Sequence, residues 1–260
     1  MKVLIKLGGT LLDAAESRNE LARQLTAVAQ EHRLVVVHGG GKQVTRFLQE
    51  QGIESRFING LRVSDEQVVD AVTKVIAGAV NKQLVGAIIN QGALAVGLSG
   101  LDGMLTVAKP FNPELGFVGR PQNTDGRLLD LLVTAGYLPV VACIGGDATG
   151  AIYNVNADQM AVSCAAGFQA DLLIFLTDVP GVKGDDGKVL SRLTPSGSRA
   201  LIVEGIARGG MRAKLESCLD ALQARIAQVV IAHGRDVNIC QRLLAGEEIG
   251  TRMNWEGVLI

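Results

Sequence analysis

Two apolar, strand-like runs in this chain end in glycine. Val3-Leu4-Ile5-Lys6-Leu7 leads into Gly8-Gly9, and Leu34-Val35-Val36-Val37-His38 leads into Gly39-Gly40-Gly41. A loop without Cβ atoms at the end of a buried strand lets backbone N–H groups approach a ligand closely. If the two strands are neighbours in one parallel sheet, the loops converge on a site suited to oxyanions, with Lys6 adding positive charge beside it. The competing reading of Lys6 is an edge-strand lysine whose stem lies on apolar surface while its ammonium reaches water. Its place directly before Gly8-Gly9 favours a ligand.

Four further segments carry candidate groups. In Asn59-Gly60-Leu61-Arg62-Val63-Ser64-Asp65, Ser64 or Asp65 suits the N-cap of a following helix. The guanidinium fork of Arg62 suits a bidentate grip on a carboxylate, and a solvated surface arginine fits the segment equally well. Asn154-Val155-Asn156-Ala157-Asp158 places short polar side chains at alternate positions. Asn156 suits an N-cap and Asp158 a first helical turn; the alternation also aims Asn154, Asn156 and Asp158 in related directions, where they can hold a substrate and order lysines. Thr177-Asp178-Val179-Pro180-Gly181-Val182 follows an apolar strand as a turn. Gly209-Gly210-Met211-Arg212-Ala213-Lys214 opens a helix whose free N–H groups suit a phosphate. Lys214 is expected in its first turn, where the helix dipole disfavours a cation unless an anion is present.

Several chemistries fail on spacing. Gly39-Gly40-Gly41-Lys42 lacks the P-loop spacing, and Gly97-Leu98-Ser99-Gly100-Leu101-Asp102-Gly103 is not a dinucleotide fingerprint. His38-Gly39-Gly40-Gly41 matches an esterase oxyanion motif, yet no GxSxG nucleophile elbow accompanies it. His32, His38 and His233 show no metal-ligand spacing and read as structural. Cys143, Cys164, Cys218 and Cys240 form no CxxC pair and read as buried small hydrophobes in a reducing compartment.

The elements that must position these groups alternate along the chain. Strands are predicted over 3–7, 34–38, 94–98, 138–142, 171–176 and 228–232, and helices over 19–31, 42–51, 65–90, 124–135, 157–167 and 211–225. That alternation implies βαβ units and a parallel sheet covered on both faces. Residues 103–120 and 182–194 break it, as projecting hairpins would. Every glycine loop then falls at the carboxyl ends of strands, where open parallel sheets bind ligands. A lobe boundary is expected near residue 169. The chain's 260 residues suffice for a large core, built from Val, Leu, Ile and Ala since aromatics are only 3%. A net charge of -1 argues against a nucleic-acid or membrane-surface binder. No apolar stretch reads as a bilayer span or a leader peptide, so a cytoplasmic location is expected.

Taken in order, KLGG, HGGG, NGLRVSD, GLSGLDG, YNVNAD, LTDVPGV and GGMRAK resemble the amino acid kinase family, and within it the branch acting on N-acetyl-L-glutamate. The motifs run from Lys6 to Lys214, and Gly250-Thr251-Arg252 also fits, so the resemblance covers essentially the whole chain. It implies an α/β, three-layer αβα sandwich around a mainly parallel sheet, the carbamate-kinase-like fold. Residues 1–169 would bind the acyl amino acid and form a homodimer through the long helix near 65–90; residues 170–260 would bind ATP, with Mg²⁺ carried by the nucleotide rather than by protein ligands. By motif, Lys6 and Lys214 would stabilise the transition state with Asp158 organising them. Gly8 and Gly9 would contact the transferring phosphate. Gly40, Gly41, Arg62, Asn154 and Asn156 would hold the substrate. Thr177, Asp178, Val179, Pro180, Gly181, Val182 and Lys183, with Ile206, Ala207, Arg208, Gly209, Gly210 and Met211, would line the nucleotide site. Lys6 stands too near the start for the extra N-terminal helix of arginine-inhibited members, so hexamers and arginine feedback are not expected. Leu101 stands where many acetylglutamate-specific members have lysine. A carrier-linked aminoadipate substrate is therefore the alternative, and a silent nucleotide sensor on the same fold the next.

Overall fold

The computed structural model describes residues 1–254; the last six positions of the expected second lobe, 255–260, lie outside the described residues. Eight strands form one sheet. Its interior is parallel: Ala95–Ser99, Leu138–Ala142, Arg33–His38, Lys2–Leu7, Leu172–Thr177 and Gln228–His233 lie side by side in that order. Thr251–Asn254 then pairs antiparallel to Gln228–His233, and the two-residue strand Arg192–Leu193 closes that edge.

All six strands expected from the sequence are present within one residue at each end. They are Val-, Leu- and Ile-rich because both faces are buried: Val3, Leu4, Ile5 and Leu7, or Leu34 to Val37, show almost no exposure. Thr251–Asn254 was not expected, since Thr-Arg-Met-Asn, with one apolar residue in four, gives little apolar signal. The helices Pro195–Val203 and Ile239–Leu244 were also not expected.

The two irregular segments form hairpin structure. Thr106–Pro110 pairs antiparallel with Val118–Thr124, and these join Ile144–Gly146 and Ile152–Val155 in a small closed four-stranded unit. Around 182–190, Lys183 bridges Val189 and the Leu190 N–H donates to Val182 O.

Helix is continuous from Glu66 to Asn90, but Thr73–Val80 is π-helix rather than α. By length and composition alone this run is apolar enough to cross a membrane, contrary to the sequence expectation. In the fold its apolar side is spent on the core through Val68, Val72, Ile76, Val80, Leu84 and Ile88.

Close backbone approaches fix how the Ala157–Phe168 helix sits. A Cβ at Gly167 would stand 2.3 Å from Thr124 O and 2.9 Å from Thr124 Cβ. Because the nearest atom is backbone, Gly167→Ala should destabilise the fold by about 2 kcal/mol, despite alanine's better helix propensity. Urea denaturation measures this; an unchanged midpoint would contradict the packing account.

Candidate active site

Lys6 belongs to an interior strand, in register with Val37 on one side and Phe175 on the other. The edge-strand reading is therefore closed to it, and the side chain is only 7% exposed. Its Nζ lies 2.6 Å from Oδ1 of Asp158. Asp158 is the second residue of the Ala157–Phe168 helix, which is capped by Asn156: the Asn156 side-chain oxygen accepts from the N–H of Asp158 at 2.9 Å and of Gln159 at 3.3 Å. The other Asp158 oxygen, Oδ2, accepts from Lys214 Nζ at 2.9 Å. Lys214 is the sixth residue of the Gly209–Gln223 helix, so it stands in the second turn and not, as expected, the first. One carboxylate thus bridges two ammonium groups 208 positions apart in the chain.

The electrostatics follow from this bridge. Burial works against the Asp158 carboxylate, but the attraction of Lys6 and then Lys214 outweighs it and holds the carboxyl well below the usual carboxylate range. Burial pushes the Lys6 ammonium below its ordinary pKa; Asp158 opposes that and Lys214 adds to it. Two cations against one anion leave a surplus of one positive charge.

Lys6 opens onto a cavity of about 200 Å³. Gly39, Gly40 and Gly41 form one side of it, and Arg62, Asn154 and Asn156 face it from others. A Cβ at Gly40 would stand 3.2 Å from Ile76 Cγ1, whereas one at Gly41 would meet nothing within 4 Å. Cys143 also lines the cavity; burial pushes its thiol up to about 12 even beside Lys6, so it is a neutral wall residue.

Arg62 is buried, which settles against a solvated surface arginine. Its Nη1 donates to Ser55 Oγ at 2.6 Å, and its Nη2 to Gly41 O at 2.9 Å and Thr45 Oγ1 at 2.8 Å. The Phe57 ring covers the guanidinium, 4.7 Å from Cζ. All these partners are neutral, and Arg62 makes no ion pair among the described residues. Burial accordingly lowers its pKa. A buried guanidinium with only neutral neighbours favours an arriving anion. Asn154 Nδ2 donates to Ser64 Oγ at 3.0 Å, and Ser64 Oγ donates to Arg62 O at 2.9 Å, tying the two faces together. Asp65, not Ser64, caps the following helix by accepting from Val68 N.

The remaining candidates sit along the same rim but outside that cavity. The Gly8 N–H donates to Leu176 O at 2.9 Å, so the first glycine loop abuts the end of the Leu172–Thr177 strand, and Gly9 begins a short 3₁₀ turn. Thr177 ends that strand and donates to Asp178 Oδ1. Beyond Val179 and Pro180, Gly181 has φ +156°, and a Cβ there would meet Val189 Cγ1 at 2.7 Å. The Val182 N–H donates to Thr251 Oγ1, which gives the Gly250-Thr251 motif a structural role, and Lys183 follows at the bridge to Val189. The N–H groups of Ile206 and Ala207 both donate to Leu201 O. Arg208 precedes the helix that starts with Gly209, Gly210 and Met211. Among the described residues, no group of three or more His, Cys, Asp or Glu side chains is arranged to hold a metal ion. Sequence reasoning missed Ser55, Thr45, Phe57 and Ser64; only Ser64 lies in a motif that had drawn attention.

The bridge has a sign-definite pH dependence. A carboxyl whose folded pKa is depressed contributes stability above its unfolded value, here 3.8, and loses it as pH falls through the folded value. Asp158→Asn should therefore cost about 3 kcal/mol near neutrality, leaving two cations unpaired, and the gap to wild type should narrow as pH drops below about 4. Urea titrations between pH 3 and 7 test this; a gap constant with pH contradicts it.

A family model described as the amino acid kinase family matches residues 1–233. An acetylglutamate kinase of Solibacter usitatus is 57% identical over 254 residues, covering 97% of this chain and 99% of that protein. One from Koribacter versatilis is 44% identical, covering 89% and 90%. Among solved structures, carbamate kinase from Giardia lamblia bound to AMP-PNP superposes with TM-score 0.74 at 17% identity, over 98% of each chain. N-acetylglutamate synthase from Neisseria gonorrhoeae, complexed with coenzyme A and N-acetyl-glutamate, gives TM-score 0.88 at 25% identity; this chain spans only 60% of its length. With its motif residues gathered along one rim of an αβα sandwich and a family match over nearly the whole sequence, the chain belongs to the amino acid kinase family.

Proposed function

We propose that this chain is an acetylglutamate kinase, moving the γ-phosphoryl group of ATP to the side-chain carboxylate of N-acetyl-L-glutamate. A carboxylate oxygen attacks the γ-phosphorus, the bond from that phosphorus to the β,γ-bridging oxygen breaks, and ADP leaves with the electron pair. The products are N-acetyl-L-glutamyl 5-phosphate and ADP, a step of arginine biosynthesis in the relatives. The acceptor is already ionised near neutrality, so no general base is required.

What the protein must supply is relief from repulsion between two anions. Unit charges ~3.5 Å apart at an effective dielectric of ~20 repel by roughly 5 kcal/mol. The observation that carries the reading is the surplus cation held by the Lys6–Asp158–Lys214 bridge at the edge of a cavity that also contains a buried Arg62 without a carboxylate partner. In this reading Lys6 and Lys214 flank the transferring phosphoryl group and Asp158 sets their separation. The N–H groups of Gly9, Gly40 and Gly41 donate to phosphate or carboxylate oxygens, while Gly8, whose own N–H is held by Leu176 O, offers the phosphate only a backbone without a Cβ. Arg62 and Asn154, with Asn156 beside them, hold the acyl amino acid. Mg²⁺ enters with ATP and neutralises phosphate oxygens; the neighbouring carboxylate, Asp158, is already engaged by both lysines.

Residues 1–169 then form the acyl-amino-acid lobe and 170–260 the nucleotide lobe, with 177–183 and 206–211 around ATP. Glycine at 209 and 210, where a Cβ would meet nothing within 4 Å, leaves the backbone there open to close approach. We assign a homodimer through the Glu66–Asn90 run, supported by the apolar side chain of Ile89, 53% exposed at its end. A cytoplasmic location suits the four free, buried cysteines.

Hydroxylamine trapping of the acyl phosphate, with ADP release, tests the reading across a series of acids. N-acetyl-L-glutamate should turn over, and the acid one methylene longer should do so poorly; the reverse order would move the assignment to the aminoadipate branch. Lys214→Ala should lower kcat about a hundredfold or more with little change in KM, as expected for the loss of a contact made in the transition state. A near-normal kcat in that variant removes Lys214 from the mechanism.

A further inference from the structure

His38 is fully buried at the end of the Arg33–His38 strand, and the reaction described above gives it no task. Both of its ring nitrogens are nevertheless engaged. Nδ1 lies 2.9 Å from the carbonyl oxygen of Gly39, and Nε2 lies 3.0 Å from Nδ2 of Asn81. A carbonyl oxygen only accepts and an amide NH₂ only donates, so the partners permit one arrangement: the proton is on Nδ1, and Nε2 accepts. Burial, reinforced by Lys82, lowers the His38 pKa to about 4 although Gly39 O favours the charged form; the ring is neutral at pH 7 with its tautomer set by these neighbours.

Asn81 is itself pinned. Its Nδ2 also donates to Val140 O at 2.9 Å, and its Oδ1 accepts from Lys82 Nζ at 3.1 Å. Fully buried, it reaches His38 across the Ala95–Ser99 strand only because residue 97 is glycine: a Cβ there would stand 1.9 Å from Asn81 Oδ1. Five residues from four separate stretches of chain, His38, Asn81 with its neighbour Lys82, Gly97 and Val140, therefore cooperate to hold one carbonyl group.

That carbonyl belongs to the peptide plane joining Gly39 and Gly40. No peptide bond in the described chain is cis, so the Gly40 N–H points opposite to Gly39 O, away from the imidazole. Gly40 is buried, lines the cavity beside Lys6, and its N–H has no hydrogen-bond partner among the described residues. With no acceptor from the protein, this donor is available to whatever the cavity receives. We propose that His38, locked in its Nδ1-protonated tautomer by Asn81, is a positioning residue that fixes the Gly39–Gly40 peptide so that the Gly40 N–H is aimed at the reacting oxyanion.

The inference deepens the kinase reading and rests on it for the identity of the oxyanion. Without the Nδ1–H bond the peptide can rotate, and the donor is aimed only part of the time. The loss falls on kcat, because a preorganised donor acts where charge develops. In His38→Asn, a side-chain amide can still reach Gly39 O; in His38→Leu, size is kept and the donor is gone.

The test has two arms. Steady-state kinetics by hydroxylamine trapping should show His38→Leu lowering kcat about tenfold or more with KM for both substrates nearly unchanged, and His38→Asn recovering most of that loss. Equal loss in both variants, or a normal kcat in His38→Leu, overturns the proposal. The second arm needs no variant: ¹⁵N NMR of ligand-free wild-type protein labelled at histidine distinguishes the tautomers, and His38 should be protonated at Nδ1. A proton on Nε2 overturns the proposal even if the leucine variant does not fold. If wild-type protein phosphorylates none of the acids, the kinase reading fails, while the NMR result still reports on the tautomer.

Discussion

A single carboxylate holding two ammonium groups is the constraint from which the rest of the architecture follows. Like charges repel, so Lys6 and Lys214 stay together only while Asp158 lies between them, and Asp158 stays ionised in a buried place only while both lysines face it. Each member comes from a different element: an interior strand, the start of the Ala157–Phe168 helix, and the second turn of the Gly209–Gln223 helix. The sheet must put the Lys2–Leu7 strand in its middle for this to happen, and it does, between Arg33–His38 and Leu172–Thr177. The Asn156 cap then determines where Asp158 begins its helix.

Around this bridge the fold leaves positive charge only partly countered. Lys6 and Lys214 share one buried carboxylate, and the third cation, Arg62, is buried with neutral partners alone. Such an arrangement costs stability in the empty protein and is tolerated where an anion is to be received. Neutral acceptors from Ser55, Thr45 and Gly41 spread that cost for Arg62, and the Phe57 ring shields one face.

Much of this was legible in the residues, for identifiable reasons. Runs such as Leu34 to Val37 are buried on both faces, so composition alone marks them as interior strands. Glycines at their ends mark the rim, and Lys6 stood out because a charge inside an apolar strand needs a cause. Elements toward the outer side of the sheet were less visible: Thr251–Asn254 has one apolar residue in four and joins antiparallel to the last of the parallel strands. The partners of Arg62 could not be foreseen, because Ser55 and Thr45 belong to no pattern and reach it only through tertiary folding. Lys214 was placed one turn early because the helix begins at Gly209, ahead of its apolar periodicity. The π-helical turns were invisible for a different reason. Hydrophobic spacing over 65–90 satisfies an α-helix well enough that nothing in the sequence demands a wider coil.

Those wider turns alter the phase of the long helix. Each i→i+5 turn holds about one residue more than an α-turn, so successive side chains are rotated away from the positions a uniform helix would give them. Upstream of Thr73–Val80 the helix presents Val72 to the cavity; directly downstream it delivers Asn81 to the interior of the sheet. The angular offset between cavity wall and buried amide is thus written into the winding of one rod. Adding or removing a residue between them would turn one end relative to the other by roughly a quarter of a revolution, and no adjustment of side chains would restore both.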